Sequence, residues 1–437
     1  MRPLTRFTAS LVLLALAVPA TAQLVSGRFT TAFYAWEKYD SSKTSSQYLR
    51  GFQNIQLNIA QGNLSLHTYL QGAVNVNSPF GDHGYLRVFN LYLRWANIFR
   101  AVDLSLGRQS IFAGAGNNTL DGLQAKLRLF KDAVGFTLYG GATVKPDLGG
   151  FRKDDYKQNY MVGGQVLVYP TSSLRLGLSY MNRHEQRDPY WTERVRDTMY
   201  AAIPYYISNY SEAYQYASAD VSYMWGQRLS VYGRYDYDVN QEQTSRAEFS
   251  ARVGVTNELA LLGYYIHRVP RLDFSSIFWV FAVTSVDEIE GGVEYALSKT
   301  LRGFARFAKV WYTDDKSHRW TVGLNSTNAS ISYAGSDGYA GQLQALNLQG
   351  AYPMADNTVI PSVAFSLASY RLSREQEERD LALSIVLGGT IRPSKNFSFD
   401  AQWQLMHNKL YNTDSRFFVK LNYWFAERLP FFGQEGK

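Results

Sequence analysis

Charged residues in this chain recur at alternate positions of extended apolar stretches. Glu288, Glu290 and Glu294 lie on one such stretch. Arg302 and Arg306 lie on the next. Because alternate residues of a β-strand point to the same face, these charges share one face of a sheet. Facing rows of acid and base orient polar solutes at a narrow point of a channel. The same rows also pair with each other and stabilise neighbouring strands, and the sequence leaves both interpretations open.

Residues for bond-making chemistry are sparse. The six histidines are scattered singly, without the spacing of a metal site. The acidic pairs at 154–155 and 314–315 are typical of solvated loop tips, with surface Ca²⁺ as the alternative. No motif assembles a nucleophile, a histidine and an acid. The sequence therefore predicts a protein that is not an enzyme and that holds no metal or cofactor.

The composition points to a membrane protein that crosses with strands. The 437 residues include 32 Tyr, 25 Phe and 9 Trp, far more rings than a soluble core needs. Membrane barrels place such rings in girdles at both interfaces. Cysteine is absent, which excludes disulfides and thiolate metal sites and is compatible with export. The net charge of +7 suits a channel lining or anionic lipid, and no nucleic acid partner is expected.

The N-terminus has the layout of a secretory signal peptide. Arg2 and Arg6 precede an apolar run at 10–20, and Ala20 and Ala22 flank a cleavage position. The run is shorter than the ~20 residues that a spanning helix needs. We predict a signal peptide at 1–22, a transmembrane β-barrel at 23–425 and a periplasmic C-terminal tail at 426–437.

Residues 416–425 show the unit from which the barrel is built. Val419, Leu421 and Tyr423 fall on one side, and Lys420 and Asn422 fall on the other. Along the chain, ten short turns alternate with eleven longer loops. This predicts an all-β, transmembrane, antiparallel up-and-down β-barrel of about 22 strands (range 18–22), with short periplasmic turns and long extracellular loops. The weakest strand pattern lies at 330–334.

The charged face of each strand must point into the barrel. A Lys or Arg side chain turned to lipid at mid-depth would cost about 2–4 kcal/mol. The predicted pore-lining residues are Arg94, Lys126, Arg128, Arg175, Arg234, Asp236, Arg252, Glu288, Glu290, Glu294, Arg302, Arg306, Asp400 and Lys420.

Two long loops are candidates for narrowing the channel. Loop 184–211 combines charges and rings that suit polar or sugar-like solutes, and its candidate constriction residues are Arg187, Trp191, Arg194 and Arg196. A solvated surface loop is the alternative interpretation. Loop 269–285 is so apolar that we expect it to extend the strands or to pack into the barrel mouth.

Residues 106–123 carry a resemblance to a known group of proteins. The residues that match are Gly107, Arg108, Gln109, Gly114, Asp121 and Gly122. They resemble a strand–loop–strand signature of the alginate-export and related substrate-specific porin families. The resemblance implies a barrel of about eighteen strands with an electropositive channel for anionic or polar solutes. Strict alternation points Arg108 outward, so we expect it at the rim or after a bulge.

These features favour an outer-membrane porin with a water-filled, charge-lined channel for passive diffusion of small hydrophilic solutes. The alternatives are an export channel for an anionic polysaccharide and a structural barrel that encloses a periplasmic partner protein. The expected location is the outer membrane of a Gram-negative-type bacterium. Expected partners are outer-membrane lipid and lipopolysaccharide, small hydrophilic solutes and the barrel-assembly machinery, whose C-terminal recognition signal residues 419–425 resemble. A homo-oligomer is left open.

Overall fold

The computed structural model describes most of the chain as β-strand. It covers residues 23–39, 45–77, 84–145, 147–150, 155–186, 189–195, 202–208, 212–270, 285–313, 315–338, 341–373 and 376–429. In these ranges no helix is both long enough and apolar enough to cross a membrane. The predicted signal peptide lies outside them, as do residues 430–437 of the predicted tail.

Twenty-two strands pair antiparallel with their neighbours and close into one barrel. The prediction of an all-β antiparallel barrel with about 22 strands is confirmed, whereas the eighteen strands implied by the family resemblance are wrong. The first twelve barrel strands are β1 (Gln23–Tyr39), β2 (Ser45–Gln61), β3 (Leu64–Asn77), β4 (Tyr85–Ile98), β5 (Val102–Ala113), β6 (Gly116–Leu129), β7 (Val134–Thr143), β8 (Tyr160–Thr171), β9 (Leu174–Glu185), β12 (Glu212–Trp225), β13 (Leu229–Asp238) and β14 (Gln243–Gly254). The remaining ten are β15 (Leu259–Arg268), β16 (Val286–Ala296), β17 (Leu301–Trp311), β18 (Lys316–Ser326), β19 (Ala329–Gly338), β20 (Gly341–Ala351), β21 (Val359–Arg371), β22 (Asp380–Ser394), β23 (Phe397–His407) and β24 (Asp414–Leu429).

The barrel closes where the first strand meets the last. β1 pairs with β24 from Gln23 opposite Leu429 to Trp36 opposite Arg416. The closing strand therefore continues past Phe425, where the sequence pattern placed its end. A closed barrel leaves no edge strand, so every spanning strand has backbone partners on both sides.

One segment departs from the sequence pattern, and the segment with the weakest strand pattern forms a full strand. Residues 111–119, predicted as a longer loop, are mostly strand, and only Gly114 and Ala115 form the turn between β5 and β6. The weak pattern at 330–334 belongs to β19, which pairs along its length with both neighbours.

The connection between β9 and β12 contains a separate two-stranded sheet. Its strands are β10 (Tyr190–Val195) and β11 (Ala202–Ile207), which pair with each other and with no barrel strand among the described residues. Loop 269–285 falls largely outside the described residues, so its predicted packing stays a prediction.

Candidate functional site

The β5–β6 hairpin leaves the wall and crosses the barrel interior. At its tip, the backbone N–H of Ala115 donates to Oγ of Ser179 on β9 at 2.8 Å. Nη2 of Arg234 on β13 donates to the carbonyl oxygen of Gly114 at 3.2 Å. A hairpin from β5 and β6 reaches β13 only through the lumen. The face that carries Ser179 and Arg234 is therefore the inner face of the barrel.

An apolar cluster attaches the hairpin to the inner face of the nearby strands β8, β9 and β12. Ile111 is fully buried, and Leu120 and Ala113 are nearly so. They belong to one buried cluster with Met161 and Met181 of β8 and β9, in which Tyr139 and Tyr216 also take part. Burying these side chains removes about 1.5–3 kcal/mol of unfavourable hydration for each large one. The hairpin is thus held by a dry contact inside an otherwise polar interior.

Paired glycines allow the hairpin to bend inward. Gly107 lies directly opposite Gly122 in the β5–β6 register. The φ angle of Gly107 is +126°, a conformation that side-chain-bearing residues rarely adopt. A Cβ atom at Gly122 would lie 2.2 Å from the carbonyl oxygen of Gly140, so only glycine allows this close approach to β7.

Arg108 closes the gap that the bend opens in the wall. The β4–β5 ladder ends at the pair Leu91 and Arg108, and the backbone N–H of Val88 beyond it donates instead to the carbonyl oxygen of Leu148 at 2.8 Å. The Arg108 side chain is completely buried and forms a bidentate ion pair with Asp121, at 2.7 and 2.8 Å. Arg108 keeps the outward parity that strict alternation gives it, and segment 147–150 covers its side chain.

The remaining donors of Arg108 bind that covering segment. Its guanidinium donates to the carbonyl oxygens of Leu148 at 3.1 Å, Gly149 at 2.8 Å and Gly150 at 3.0 Å. It also donates to the carbonyl oxygen of Val88 at 3.2 Å. One side chain therefore connects the wall strand β4, the root of the inward hairpin and the loop after β7.

The register places every predicted pore-lining side chain on the inner face defined above. Their part in solute passage stays a prediction. The residues are Arg94, Lys126, Arg128, Arg175, Arg234, Asp236, Arg252, Glu288, Glu290, Glu294, Arg302, Arg306, Asp400 and Lys420.

The acidic row of β16 and the basic row of β17 interlock. Arg306 lies 3.8 Å from a carboxylate oxygen of Glu290 and 3.7 Å from one of Glu294. Arg319 of β18, which the sequence analysis did not select, pairs with Glu288 and lies 3.1 Å from Glu290. The acidic and basic side chains of these neighbouring strands therefore form ion pairs with each other. It cancels much of the local charge, so this sector contributes little net field across the channel.

Other inner charges also pair locally. Asp103 accepts from Arg94 at 2.8 Å and from Arg128 at 3.1 Å. Arg175 pairs with Asp220 at 2.8 Å. Arg234 pairs with Asp236 at 2.8 Å. Near the closure, Lys420 lies 3.1 Å from Asp400.

The inner face of β1–β4 differs from these sectors in charge. It carries Arg28, Arg50, Arg87 and Arg94, and within the described parts of these four strands no carboxylate faces the interior. The guanidinium carbons of Arg87 and Arg50 lie 4.4 and 5.9 Å from the ring centroid of Tyr85. This wall is therefore a net positive surface with exposed amides and rings.

The structure describes two of the four predicted constriction residues of loop 184–211, and both lie on β10. Trp191 lies on β10, is 70% exposed and packs at a tilt against Tyr206, with ring centroids 5.0 Å apart. Arg194 lies on the same strand. Arg187 and Arg196 lie outside the described residues, and a constriction there stays a prediction.

The sequence carries a signal for the inward hairpin beyond the alternation of each strand. Once register is fixed, Ile111, Ala113 and Leu120 occupy inner positions, as do Met161 and Met181. Apolar residues on the wet face need a partner inside the lumen. Among the described residues, no group of three or more His, Asp or Glu side chains has the geometry of a metal site.

Comparison with known proteins adds a likeness of architecture. No family model matches the sequence, and no curated protein sequence matches it. Among solved structures, the translocation pore of the P pilus usher PapC has a TM-score of 0.48 at 10% identity, covering 92% of this chain and 99% of that chain. OpdQ of Pseudomonas aeruginosa has a TM-score of 0.43 at 9% identity, covering 92% and 98%. A BenF-like porin from Pseudomonas fluorescens Pf-5 has a TM-score of 0.39 at 8% identity, covering 92% and 99%. These overlaps are too loose to say anything about a solute.

Proposed function

We propose that this protein is an outer-membrane porin, a water-filled channel through which small hydrophilic solutes diffuse passively. Its setting is the outer membrane of a Gram-negative-type bacterium, in contact with outer-membrane lipid and lipopolysaccharide. The barrel-assembly machinery would insert it, reading the closing strand. No catalytic step is part of this proposal.

The observation that carries the proposal is a polar barrel interior that the β5–β6 hairpin, within the described part of the chain, narrows without filling. Barrels of 16–18 strands leave an aqueous channel, and a 22-stranded barrel such as this one is wide enough to hold a plug as well. The β5–β6 hairpin lies against β8, β9, β12 and β13 through the apolar cluster and two hydrogen bonds. Among the described residues, the hairpin does not cover the inner faces of β14 to β24 and of β1 to β4.

Single-channel recording in planar lipid bilayers tests the proposal. The folded, purified protein is expected to give stable ohmic steps in KCl. A heat-unfolded sample of the same protein serves as the control. Folded protein that inserts without conducting ions would contradict the porin function.

A second candidate function, export of an anionic polysaccharide, is favoured by one specific feature. The inner face of β1–β4 carries four arginines and, over its described residues, no carboxylate. Arg28 and Arg87 form no ion pair with any described residue, so their charge is available to a solute. Such a wall attracts anions and slows cations.

The reversal potential in a KCl gradient measures this preference. If the wall acts on passing ions, the wild type is expected to give an anion-selective reversal potential. In the double variant Arg28→Gln/Arg87→Gln, this potential is expected to move toward zero. Arg302→Gln, on the charge-paired sector, is the matched control. A cation-selective wild type would contradict the second candidate and leave the porin proposal intact.

A further inference from the structure

Stacked ring pairs lie on the inner face of β1–β4 near both ends of the barrel. Near the loop end, Trp36 stacks on Tyr48 with ring centroids 5.0 Å apart and planes 12° apart. Near the turn end, His67 stacks on Tyr92 at 4.7 Å and 15°. Tyr48 is buried, whereas Trp36, His67 and Tyr92 are partly exposed and offer ring surfaces to a solute that passes along the wall.

Amide side chains alternate with these rings in the same register. One row across the four strands places Arg28, Gln56, Tyr69 and Asn90 side by side. Tyr69 also stacks on Phe89, with centroids 4.7 Å apart. An amide carries two donors and one acceptor oxygen, so it binds hydroxyl groups in either sense.

A cavity marks the turn end of this wall. It has a volume of about 610 Å³ and is lined by Arg28, Gln56, Asn58, Tyr69, Asn90 and Tyr92, among others. Small-molecule sites in proteins usually measure about 300–1,000 Å³. The cavity thus has room for one or two sugar rings where amides, an arginine and two tyrosines meet.

We infer that this wall is a saccharide track: the inner face of β1–β4 binds the sugar rings of passing oligosaccharides. This inference rests on the proposed channel function and names the class of solute. A pyranose ring has an apolar C–H face that packs on tyrosine and tryptophan, and its edge hydroxyls bond to amides. An apolar solute would leave the amides unpaired. A simple inorganic anion would use the arginines but not the rings.

The arginines of the track serve sugars in two ways. A guanidinium donates to neutral hydroxyls, and it binds a uronic carboxylate more strongly in a bidentate manner. Neutral and acidic oligosaccharides therefore share the ring and hydroxyl chemistry that the track recognises. They differ only in how much the arginines add.

Current interruption by oligosaccharides tests the track. A neutral α-linked glucose hexamer and a uronic acid hexamer are added separately to single open channels of the full-length protein. The track predicts reversible interruptions by at least one of them. Interruption by the neutral hexamer, or by both, shows that rings and amides suffice. Interruption by the uronate alone shows that the arginines are also required.

Substitution of one tyrosine locates the binding. Tyr69→Ala is expected to weaken interruption about tenfold, the effect of removing one central aromatic contact. Tyr69→Phe keeps the ring and is expected to retain most of the binding. Tyr264→Ala is the matched control, because Tyr264 also faces the interior but on β15, away from the track. Each variant is first checked for heat-modifiable mobility in SDS gels and for open-channel current.

Two results would overturn the inference. In the first, a conducting wild-type channel shows no interruption by either hexamer. In the second, Tyr264→Ala weakens interruption as much as Tyr69→Ala does. An absence of any channel current is a different outcome, because it removes the porin proposal itself.

Discussion

At the scale of single residues, Arg108 connects more parts of the barrel wall than any other charged residue described above. It is fully buried, its charge is matched by Asp121, and its other donors bind backbone carbonyls of β4 and segment 147–150. A buried, fully hydrogen-bonded ion pair of this kind is costly to break, because the partner left behind is an uncompensated charge. Exposed pairs, such as those of Arg302, contribute far less.

Replacing Arg108 should therefore destabilise the folded barrel strongly. Arg108→Met leaves Asp121 without its charge partner and removes one hydrogen-bond donor from each of four carbonyls, and a loss of about 3–5 kcal/mol in the free energy of unfolding is expected. Urea titration of the protein in lipid vesicles, followed by tryptophan fluorescence, measures this loss.

The control is Arg302→Met, whose side chain is 56% exposed and 3.9 Å from Glu294. It should change the free energy of unfolding by less than about 1 kcal/mol. Removing both charges in Arg108→Met/Asp121→Leu should recover part of the loss. Equal effects of Arg108→Met and Arg302→Met would show that Arg108 does not hold the wall together.

At the scale of elements, the β5–β6 hairpin occupies part of the lumen. Ser110 and Thr119 lie directly opposite each other below the tip. Residues 111–118 can therefore be replaced by an Asn-Gly turn, which joins a directly opposed pair with little strain. Removing the tip takes the obstruction out of the lumen, so a several-fold increase in single-channel conductance is expected.

The matched control shortens a different connection. Replacing the β10–β11 hairpin by a short polar linker should leave the conductance near that of the wild type. If replacing β10–β11 increased the conductance strongly and replacing the β5–β6 tip did not, loop 184–211 would be the constriction instead. Liposome swelling with sugars of increasing size gives an independent measure of the aperture.

The sequence predicts the strands well and the inward hairpin poorly, for a physical reason. The charged side chains of each strand must face away from lipid. Residues such as Lys420 and Glu290 therefore show which face of their strand points into the barrel. The hairpin depends instead on residues far apart in sequence that meet in one buried cluster, such as Ile111 and Met181. Alternation alone also makes Arg108 an outward residue, and only the loop after β7 shows why it is buried. The saccharide track could not be predicted either, because its residues become neighbours only once the register between strands is known.

At the scale of the whole molecule, the barrel depends on the meeting of its two ends. Thr30 of β1 donates to the amide oxygen of Asn422 on β24 at 2.8 Å. The amide nitrogen of Asn422 donates to Ser398 and Asp400 on β23, both at 3.0 Å. These inner polar contacts reinforce the backbone ladder that joins β1 to β24.

A chain that stops before β24 should fail to form a stable barrel. Without residues 414–437, β1 and β23 would expose unpaired backbone groups to lipid, each at a cost of several kcal/mol. Heat-modifiable mobility in SDS gels is expected to disappear. A chain that ends at residue 429 keeps the whole of β24 and is expected to retain it. Persistence of the compact form in the shorter chain would contradict closure by these strands.

The separate β10–β11 hairpin has a consequence for how this surface varies. It shares no ladder with the barrel among the described residues, so its sequence is not fixed by the alternation that lipid imposes. On the loop side of the barrel, with Trp191 exposed, it is the kind of site that antibodies and bacteriophage tail fibres meet. We expect this hairpin to tolerate an inserted peptide epitope. It would thus serve as a display position that leaves the channel beneath it unchanged.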